Sequence, residues 1–241
     1  MLFVYQLFIT FLLFFSPIII FYRILKNKEH KKRFIEKFSI SSKKRNKGKL
    51  IWFHGASVGE IMSIIPLVKN FENNSSISQI LITTSTLSST KILEKFKFRK
   101  TVHQFYPIDH FFFTSKFLRF WKPSIAIFID SEIWPYMFKN IKDKNIPLVL
   151  LNARLTKKTF KRWMKLKYFS KFVFNKISIA YPQNIETKNF LRKLNLKKIN
   201  YIGNLKFAKN SKERFDKIND KLKKESLKEK IFGLPLVLIV V

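Results

Sequence analysis

The sequence lacks cysteine altogether and is poor in glycine, histidine and acidic residues, with 5 Gly, 4 His and 15 Asp+Glu in 241 residues. The absence of cysteine excludes disulfide bonds and thiolate metal sites. Basic residues, by contrast, number 48, so the formal net charge is +33. A hydrophobic fraction of 46% excludes a disordered polycation. We therefore expect a folded protein whose surface charge favours anionic partners, namely nucleic acid, anionic lipid or a phosphorylated substrate.

The N-terminal segment contains no charged residue from Leu2 to Tyr22, and Phe, Leu and Ile dominate it. Its 21 residues match the roughly 20 that a helix needs to cross a bilayer. From Arg23 to Lys49 there follow 12 basic and 2 acidic residues, which by the positive-inside rule places the C-terminal side in the cytoplasm. A cleaved signal peptide is the alternative, but the sequence shows neither its basic n-region nor its small-residue cleavage site. We predict a single transmembrane helix over residues 1–25 and a basic juxtamembrane linker over 26–49.

Short apolar runs alternate with helical patterns through the body of the chain. The predicted strands are 50–54, 80–84, 102–106, 124–129, 147–151 and 177–181. The predicted helices are 58–71, 87–96, 111–121, 135–144, 159–174 and 184–194. Such alternation predicts an α/β domain with a parallel, doubly wound sheet, whose ligands bind beyond the carboxyl ends of the strands.

Two of the five glycines fall in one heptapeptide, His54-Gly55-Ala56-Ser57-Val58-Gly59-Glu60, which joins a predicted strand to a predicted helix. A helix N-terminus favours an anion, and a carboxylate in its first turn is placed to act as a general base. Glu60 is therefore a candidate base, although an ordinary strand-to-helix turn explains the same spacing. The segment also reads as the Gly-x-Ser-x-Gly elbow of α/β-hydrolases, in which Ser57 would be the nucleophile. The only histidines after it, His103 and His110, come early for that mechanism.

Scarce carboxylates follow other predicted strands. Glu132 lies in Asp130-Ser131-Glu132-Ile133-Trp134-Pro135, where it could stabilise a developing positive charge or orient a base, or simply interact with the helix dipole. Asn152 and Arg154 follow the next strand and offer an amide and a guanidinium to a phosphate or carboxylate. Lys206 accompanies a scarce glycine in Gly203-Asn204-Leu205-Lys206-Phe207.

A basic amphipathic pattern runs from Lys157 to Lys176, with eight basic residues and no acidic one. Aromatic and Met residues recur in it at three- and four-residue spacings. The pattern predicts either a helix packed by its aromatic face or an interfacial contact with a membrane.

Taken in order, the apolar segment and six motifs resemble the 3-deoxy-D-manno-octulosonic acid (Kdo) transferases. The motifs begin at His54, Thr83, Tyr106, Ser131, Asn152 and Gly203. The resemblance implies the N-terminal Rossmann-like domain of a GT-B glycosyltransferase that transfers Kdo from CMP-Kdo to a lipid A precursor, at the cytoplasmic face of the bacterial inner membrane. It makes Glu60 the general base and assigns transition-state stabilisation to Glu132 and Lys206. Ser57, Gly59, Asn152 and Arg154 are the expected substrate-binding residues.

The same resemblance implies no metal or other cofactor. The basic residues beside the apolar segment and in the pattern from Lys157 to Lys176 favour anionic lipid over nucleic acid as a further partner. The resemblance also predicts the Rossmann-like domain over 50–210 and, over 211–241, an inter-domain helix and the first strand of a second domain, so that 241 residues would be too few for activity. One motif departs from the family's Thr-x-Thr-Pro-Thr-Gly, reading Thr84-Ser85-Thr86-Leu87-Ser88-Ser89. The rival hypotheses are a hydrolase acting through Ser57 and a non-catalytic, membrane-tethered basic module.

Overall fold

The computed structural model describes residues 2–201, 203 and 204. Its centre is one sheet of six strands, all parallel, in the order β3-β2-β1-β4-β5-β6. The strands are β1 Leu50–His54, β2 Gln79–Thr84, β3 Thr101–Phe105, β4 Ile125–Ile129, β5 Leu148–Ala153 and β6 Ile179–Pro182. The predicted doubly wound α/β domain is therefore confirmed. Its strand order reverses between β1 and β4, and such a switch point is where open α/β sheets bind ligands.

Helices connect the strands on both faces of the sheet. They are α1 Leu2–Phe14, α2 Ser16–Leu25, α3 Val58–Asn73, α4 Leu87–Leu93, α5 Phe111–Trp121, α6 Pro135–Asp143, α7 Lys157–Lys165, α8 Lys167–Phe174 and α9 Ile185–Lys193, with a 3₁₀ helix at Arg33–Phe38. Neighbouring residues of β1 show why the sheet needs two covering layers. Trp52 belongs to the core beneath α5, α6 and α8, whereas Phe53 belongs to the core beneath α3, and both are fully buried. Side chains on successive strand residues point to opposite faces, so an all-apolar strand requires cover on both.

The N-terminal segment differs from the single continuous helix predicted for it. It forms α1 and α2, which meet at a bend of 55°. Pro17 lies in the first turn of α2; it has no N–H to donate to the carbonyl of Leu13, and its ring crowds that carbonyl, so a continuous helix is interrupted here. Among the described residues, no single helix has both the length and the apolar composition to cross a bilayer; α1 and α2 meet these criteria only as a bent pair.

The segment predicted as a linker contains the 3₁₀ helix, which packs along the edge strand β3. Glu36 is fully buried, is paired with Arg33, and accepts a hydrogen bond from the Phe105 backbone N–H at 2.8 Å. Arg33 in turn donates to the carbonyl of His103 at 2.9 Å. Side chains of this basic segment therefore satisfy backbone groups that an edge strand would otherwise expose.

The helix predicted over 159–174 is divided at Leu166, whose ψ of 50° is not helical. In a straight helix Trp163 and Phe174 would be about 16 Å apart along the axis, but the break brings their rings to a centroid distance of 5.2 Å. Phe160 stacks on Phe190 of α9 at 4.3 Å. Packing therefore accounts for these aromatic residues of the basic amphipathic pattern, while Tyr168 remains 88% exposed.

Candidate functional site

Two loops meet at the switch point of the sheet, one after β1 and one after β4. The first carries Glu60 in the first turn of α3, and the second carries Glu132 just before α6. β1 and β4 are neighbouring parallel strands, so the loops that follow them, which carry the two carboxylates predicted as catalytic, leave the same edge of the sheet. Glu60 and Glu132 are far apart along the chain. The fold brings their loops together because the carboxyl ends of parallel strands share one edge of the sheet.

Glu60 is held by its own loop. Ser57 is the N-cap of α3; its hydroxyl donates to Glu60 Oε1 at 2.7 Å and accepts from the Glu60 N–H at 3.4 Å. The Ala56 N–H donates to Oε2 at 2.8 Å. A Cβ on Gly55 would lie 3.2 Å from the Glu60 Cβ, so glycine at this position leaves room for the carboxylate. The arrangement resembles a capping box, in which the serine and the glutamate satisfy the helix N-terminus reciprocally.

Burial raises the pKa of Glu60 above its ordinary value. The hydrogen bonds from Ser57 and Ala56 act in the opposite direction, while the negative charges of Glu132 and Asp130 raise this pKa further. A raised pKa brings a carboxylate closer to the working pH range of a general base. The shift in the Glu60 pKa is therefore in the direction that favours a general base.

Glu132 is supported by two side chains to which the sequence reasoning gave no role. His54 is fully buried, and its Nε2 lies 3.2 Å from Glu132 Oε2. The Trp134 Nε1–H donates to the same oxygen at 3.0 Å. The His54 ring stacks on Tyr106 at 3.9 Å, and its Nδ1 lies 3.0 Å from the Thr83 hydroxyl. His54 and Trp134 both belong to the sequence motifs that carry the family resemblance, and this is the only indication of their role in the sequence.

Three more of the predicted residues lie on neighbouring segments, Gly59 at the start of α3 and Asn152 and Arg154 at and after the end of β5. Asn152 is buried in the left-handed conformation, with a φ of 52°. Arg154 is exposed, and its backbone N–H donates to the Asp130 carbonyl at 3.3 Å, which ties the β5 loop to the β4 loop. A Cβ on Gly59 would meet no described atom within 4 Å. Lys206 lies outside the described residues.

The loop after β2 closes another side of the site and carries the motif that departs from the family pattern. Thr86 caps α4 by accepting from the Ser89 N–H. The hydroxyls of Thr86 and Ser89 lie 3.4 and 3.3 Å from the Ala56 carbonyl. The serine and threonine present here thus form a helix cap and contact the Glu60 loop without the proline and the glycine.

The hydrolase interpretation does not agree with the geometry of Ser57. This residue has an ordinary extended conformation, with φ −110° and ψ 160°, whereas a nucleophile elbow is strained. Its hydroxyl donates to Glu60, and the nearby His54 is bonded to Thr83 and Glu132. Within residues 2–201, 203 and 204, no three His, Asp or Glu side chains converge as metal ligands.

The sequence of this chain matches one known protein family. The family model of 3-deoxy-D-manno-octulosonic-acid transferase (kdotransferase) matches residues 32–209. A 3-deoxy-D-manno-octulosonic acid transferase of Rickettsia bellii is 36% identical over 214 residues, covering 87% of this chain and 51% of the relative. A probable mitochondrial 3-deoxy-D-manno-octulosonic acid transferase of Arabidopsis thaliana is 36% identical over 217 residues, covering 86% of this chain and 48% of the relative.

Among solved structures, UDP-GlcNAc 2-epimerase from Neisseria meningitidis bound to UDP-GlcNAc aligns with a TM-score of 0.49 and 14% identity, over 75% of this chain and 52% of that one. The chain spans about half the length of the two transferases described above. The family match includes all six strands and both carboxylate loops. The chain therefore belongs to the Kdo transferase family.

Proposed function

We propose that the protein transfers Kdo from CMP-Kdo to a lipid A precursor in lipopolysaccharide biosynthesis, with this chain supplying the GT-B domain that binds the acceptor. Family membership supports the reaction class. The observation that carries the proposal is the pair of Glu60 and Glu132 at the switch point of the sheet, with the pKa of Glu60 raised by burial. No metal or other cofactor takes part in the proposed reaction.

In this mechanism Glu60 removes the proton of an acceptor sugar hydroxyl. The hydroxyl oxygen forms the bond to the anomeric carbon of Kdo, and the bond from that carbon to the phosphate oxygen breaks, so that CMP leaves with the electron pair. Glu132, fixed by His54 and Trp134, stabilises positive charge that develops on the sugar. Lys206, by family resemblance, supports the departing phosphate.

Asn152, near the end of β5, and Arg154, in the loop that follows, complete the proposed site. The Arg154 backbone N–H bonds to the Asp130 carbonyl and its side chain is exposed; a guanidinium can pair with a phosphate or carboxylate in bidentate fashion. Ser57 and Gly59 lie at the start of α3, where backbone N–H groups favour an anionic or partly deprotonated group. These four residues are the proposed contacts to substrate.

We also propose that the protein works on the cytoplasmic face of the bacterial inner membrane. No residue of α1 or α2 is buried, and their apolar side chains form an exposed surface. Tyr5 of α1 contacts Phe169 of α8 at a ring distance of 6.3 Å. The Phe169 ring stacks in turn on Trp163 of α7 at 6.2 Å, so the basic helix α7 lies beside this surface. An apolar surface beside basic residues favours anionic lipid.

The direct test replaces Glu60 in a complete transferase, made by joining this chain to the remaining C-terminal part of the Rickettsia bellii relative. Glu60→Gln removes the base but keeps the shape of the side chain, and kcat is expected to fall by about a hundredfold or more. Transfer is measured with CMP-Kdo and a lipid A precursor in vesicles.

Glu186→Gln is the matched control, because Glu186 also lies in the first turn of a helix, α9, but is exposed. It is expected to leave kcat within a factor of two of the unchanged enzyme. Full activity of Glu60→Gln would remove Glu60 from the mechanism, and an inactive unchanged chimera with a correctly folded N-terminal domain would count against the proposed reaction.

A further inference from the structure

Helix α6, which follows the Glu132 loop, is capped by a residue from another loop. Its N-cap residue Trp134 makes no side-chain capping bond. Instead Asp109, between β3 and α5, accepts from the Tyr136 N–H at 3.0 Å and from the Met137 N–H at 2.8 Å. Asp109 is 2% exposed. A carboxylate in this position satisfies two N–H groups and interacts favourably with the helix dipole.

The third donor to this carboxylate comes from the N-terminal apolar helix. The Tyr5 hydroxyl donates to Asp109 Oδ2 at 2.8 Å, and the Tyr5 ring stacks on Tyr136 at 5.8 Å with an interplanar angle of 28°. The Tyr136 hydroxyl donates in return to the Leu2 carbonyl at 3.3 Å. Helix α1 is thus attached to the N-terminus of α6 through one buried carboxylate and one pair of rings.

The short loop that carries Glu132 ends at this capped helix terminus. Glu132 lies between Ile129, the last residue of β4, and Pro135, the first residue of α6. The strand is fixed by its two neighbours in the sheet, so the helix end is the adjustable side. The Trp134 side chain donates to the Glu132 carboxylate. The Trp134 backbone carbonyl accepts the first hydrogen bond of α6, from the Phe138 N–H at 2.9 Å.

We propose that Asp109 is a positioning residue for Glu132 and that Tyr5 holds it in place, so that docking of α1 on the domain orders the loop of residues 130–134. The catalytic consequence rests on the proposed function, but the structural coupling does not. Burial raises the pKa of Asp109 to about 6, whereas the bonds from Tyr5, Met137 and Tyr136 lower that pKa. All three donors therefore stabilise the ionised form of the Asp109 carboxylate, and the loss of one donor weakens the cap of α6.

The coupling is tested by hydrogen exchange on the full 241-residue chain in vesicles that contain anionic lipid. Tyr5→Phe removes one hydroxyl, and peptides spanning 130–138 are expected to exchange roughly five- to tenfold faster, the effect of losing one buried hydrogen bond. Peptides of β1 report on overall folding and are expected to stay protected. Tyr22→Phe is the control, because Tyr22 lies in α2 and is 60% exposed. Unchanged exchange of 130–138 in Tyr5→Phe would overturn the proposal.

A second pair of variants examines the carboxylate itself. Asp109→Asn is expected to accelerate exchange of the same peptides at least as much as Tyr5→Phe does, because an amide can offer only one acceptor oxygen in place of two. Asp143→Asn, at the opposite end of α6 and exposed, is expected to leave them unchanged. Equal effects of the two Asp variants would show general loosening of α6 and would overturn the proposed role of Asp109.

Transfer by the chimera separates this proposal from the proposed function. Tyr5→Phe is expected to lower kcat by roughly the same five- to tenfold factor and to leave KM for the acceptor unchanged. If Tyr5→Phe speeds exchange and the unchanged chimera transfers no Kdo, the reaction is wrong and the coupling stands. If the chimera is active and Tyr5→Phe changes exchange but not kcat, Asp109 does not position Glu132 for catalysis.

Discussion

At the scale of single residues, opposing influences act on the carboxylate of Glu60. Burial and two neighbouring carboxylates raise its pKa, while Ser57 and the Ala56 N–H lower it. A general base must be ionised, so activity is lost as the pH falls through its pKa. We therefore expect the acid limb of kcat/KM to lie above the pH at which an ordinary glutamate titrates.

Ser57→Ala should move that limb to a still higher pH, because it removes one of the bonds that lower the Glu60 pKa. It also removes the N-cap of α3, with an expected loss of about 1 kcal/mol of stability. Thr156→Ala removes the equivalent cap of α7 and should lower stability without moving the limb. The pH profile of the chimera and thermal unfolding measure both; a limb that stays in place or moves to lower pH in Ser57→Ala would contradict the assignment.

The site residues were only partly predictable at this scale. Glu60 and Glu132 could be predicted as candidates because carboxylates are scarce in a basic chain and both residues follow strands. The contacts of Glu132 with His54 and Trp134 could not be predicted, because a buried histidine that is hydrogen-bonded to a carboxylate from a distant loop leaves no local pattern in the sequence. The cap of α6 by Asp109 is hidden for the same reason, since the two partners are separated by 27 residues.

At the scale of elements, the sequence predicts β1 and α5 with the bounds that the structure has, because turn residues flank short apolar runs. Two of the differences are breaks within predicted helices. Proline can kink a helix, but the position of Pro17 within a uniformly apolar run favours the prediction of a continuous helix. The break at Leu166 carries no proline or glycine and arises from tertiary packing of Trp163 against Phe174, which local propensity cannot show.

Helix α7 gives a test of membrane contact at the same scale. Its lysines Lys158, Lys161 and Lys165 are exposed and share one face of the helix. Replacing all three by Gln should weaken binding to vesicles containing anionic lipid by roughly a hundredfold, at about 1 kcal/mol for each charge near the surface. Cosedimentation at fixed ionic strength measures the loss.

The matched control makes the same change of charge on the other side of the sheet, at Lys91, Lys95 and Lys97, which are also exposed. This variant should lose much less affinity, because only the general attraction of a basic protein is reduced. Equal losses in the two triple variants would mean that net charge, and not the surface formed by α1, α7 and α8, governs binding to the membrane.

At the scale of the whole molecule, the net charge is +33, and few of the basic side chains are paired with a carboxylate in the described residues. Five ion pairs occur within the described part of the chain, one of which requires a protonated histidine. Like charges at this density repel each other and oppose the compact state. Salt shortens the Debye length from about 30 Å at 0.01 M to about 8 Å at 0.15 M, so we expect Tm to rise over this range.

The triple Gln variant of α7 provides the comparison for the salt experiment, because it carries less charge and should show a smaller rise in Tm. Thermal unfolding in detergent followed by circular dichroism at several NaCl concentrations measures both. A fall in Tm with added salt would mean that attractive pairs, and not repulsion, dominate the electrostatics of the fold.

The cover on β3 has a consequence for how copies of this protein can associate. Along this edge, Arg33 and Glu36 occupy the carbonyl of His103 and the N–H of Phe105. At the opposite edge, the backbone of Ala180 in β6 bonds to Lys198 and Asn200. Another chain therefore cannot extend the sheet at these positions without displacing existing partners, and edge-to-edge aggregation, a common hazard for exposed strands, is blocked there. At these positions, contact with another copy has to use side chains instead of strand backbone.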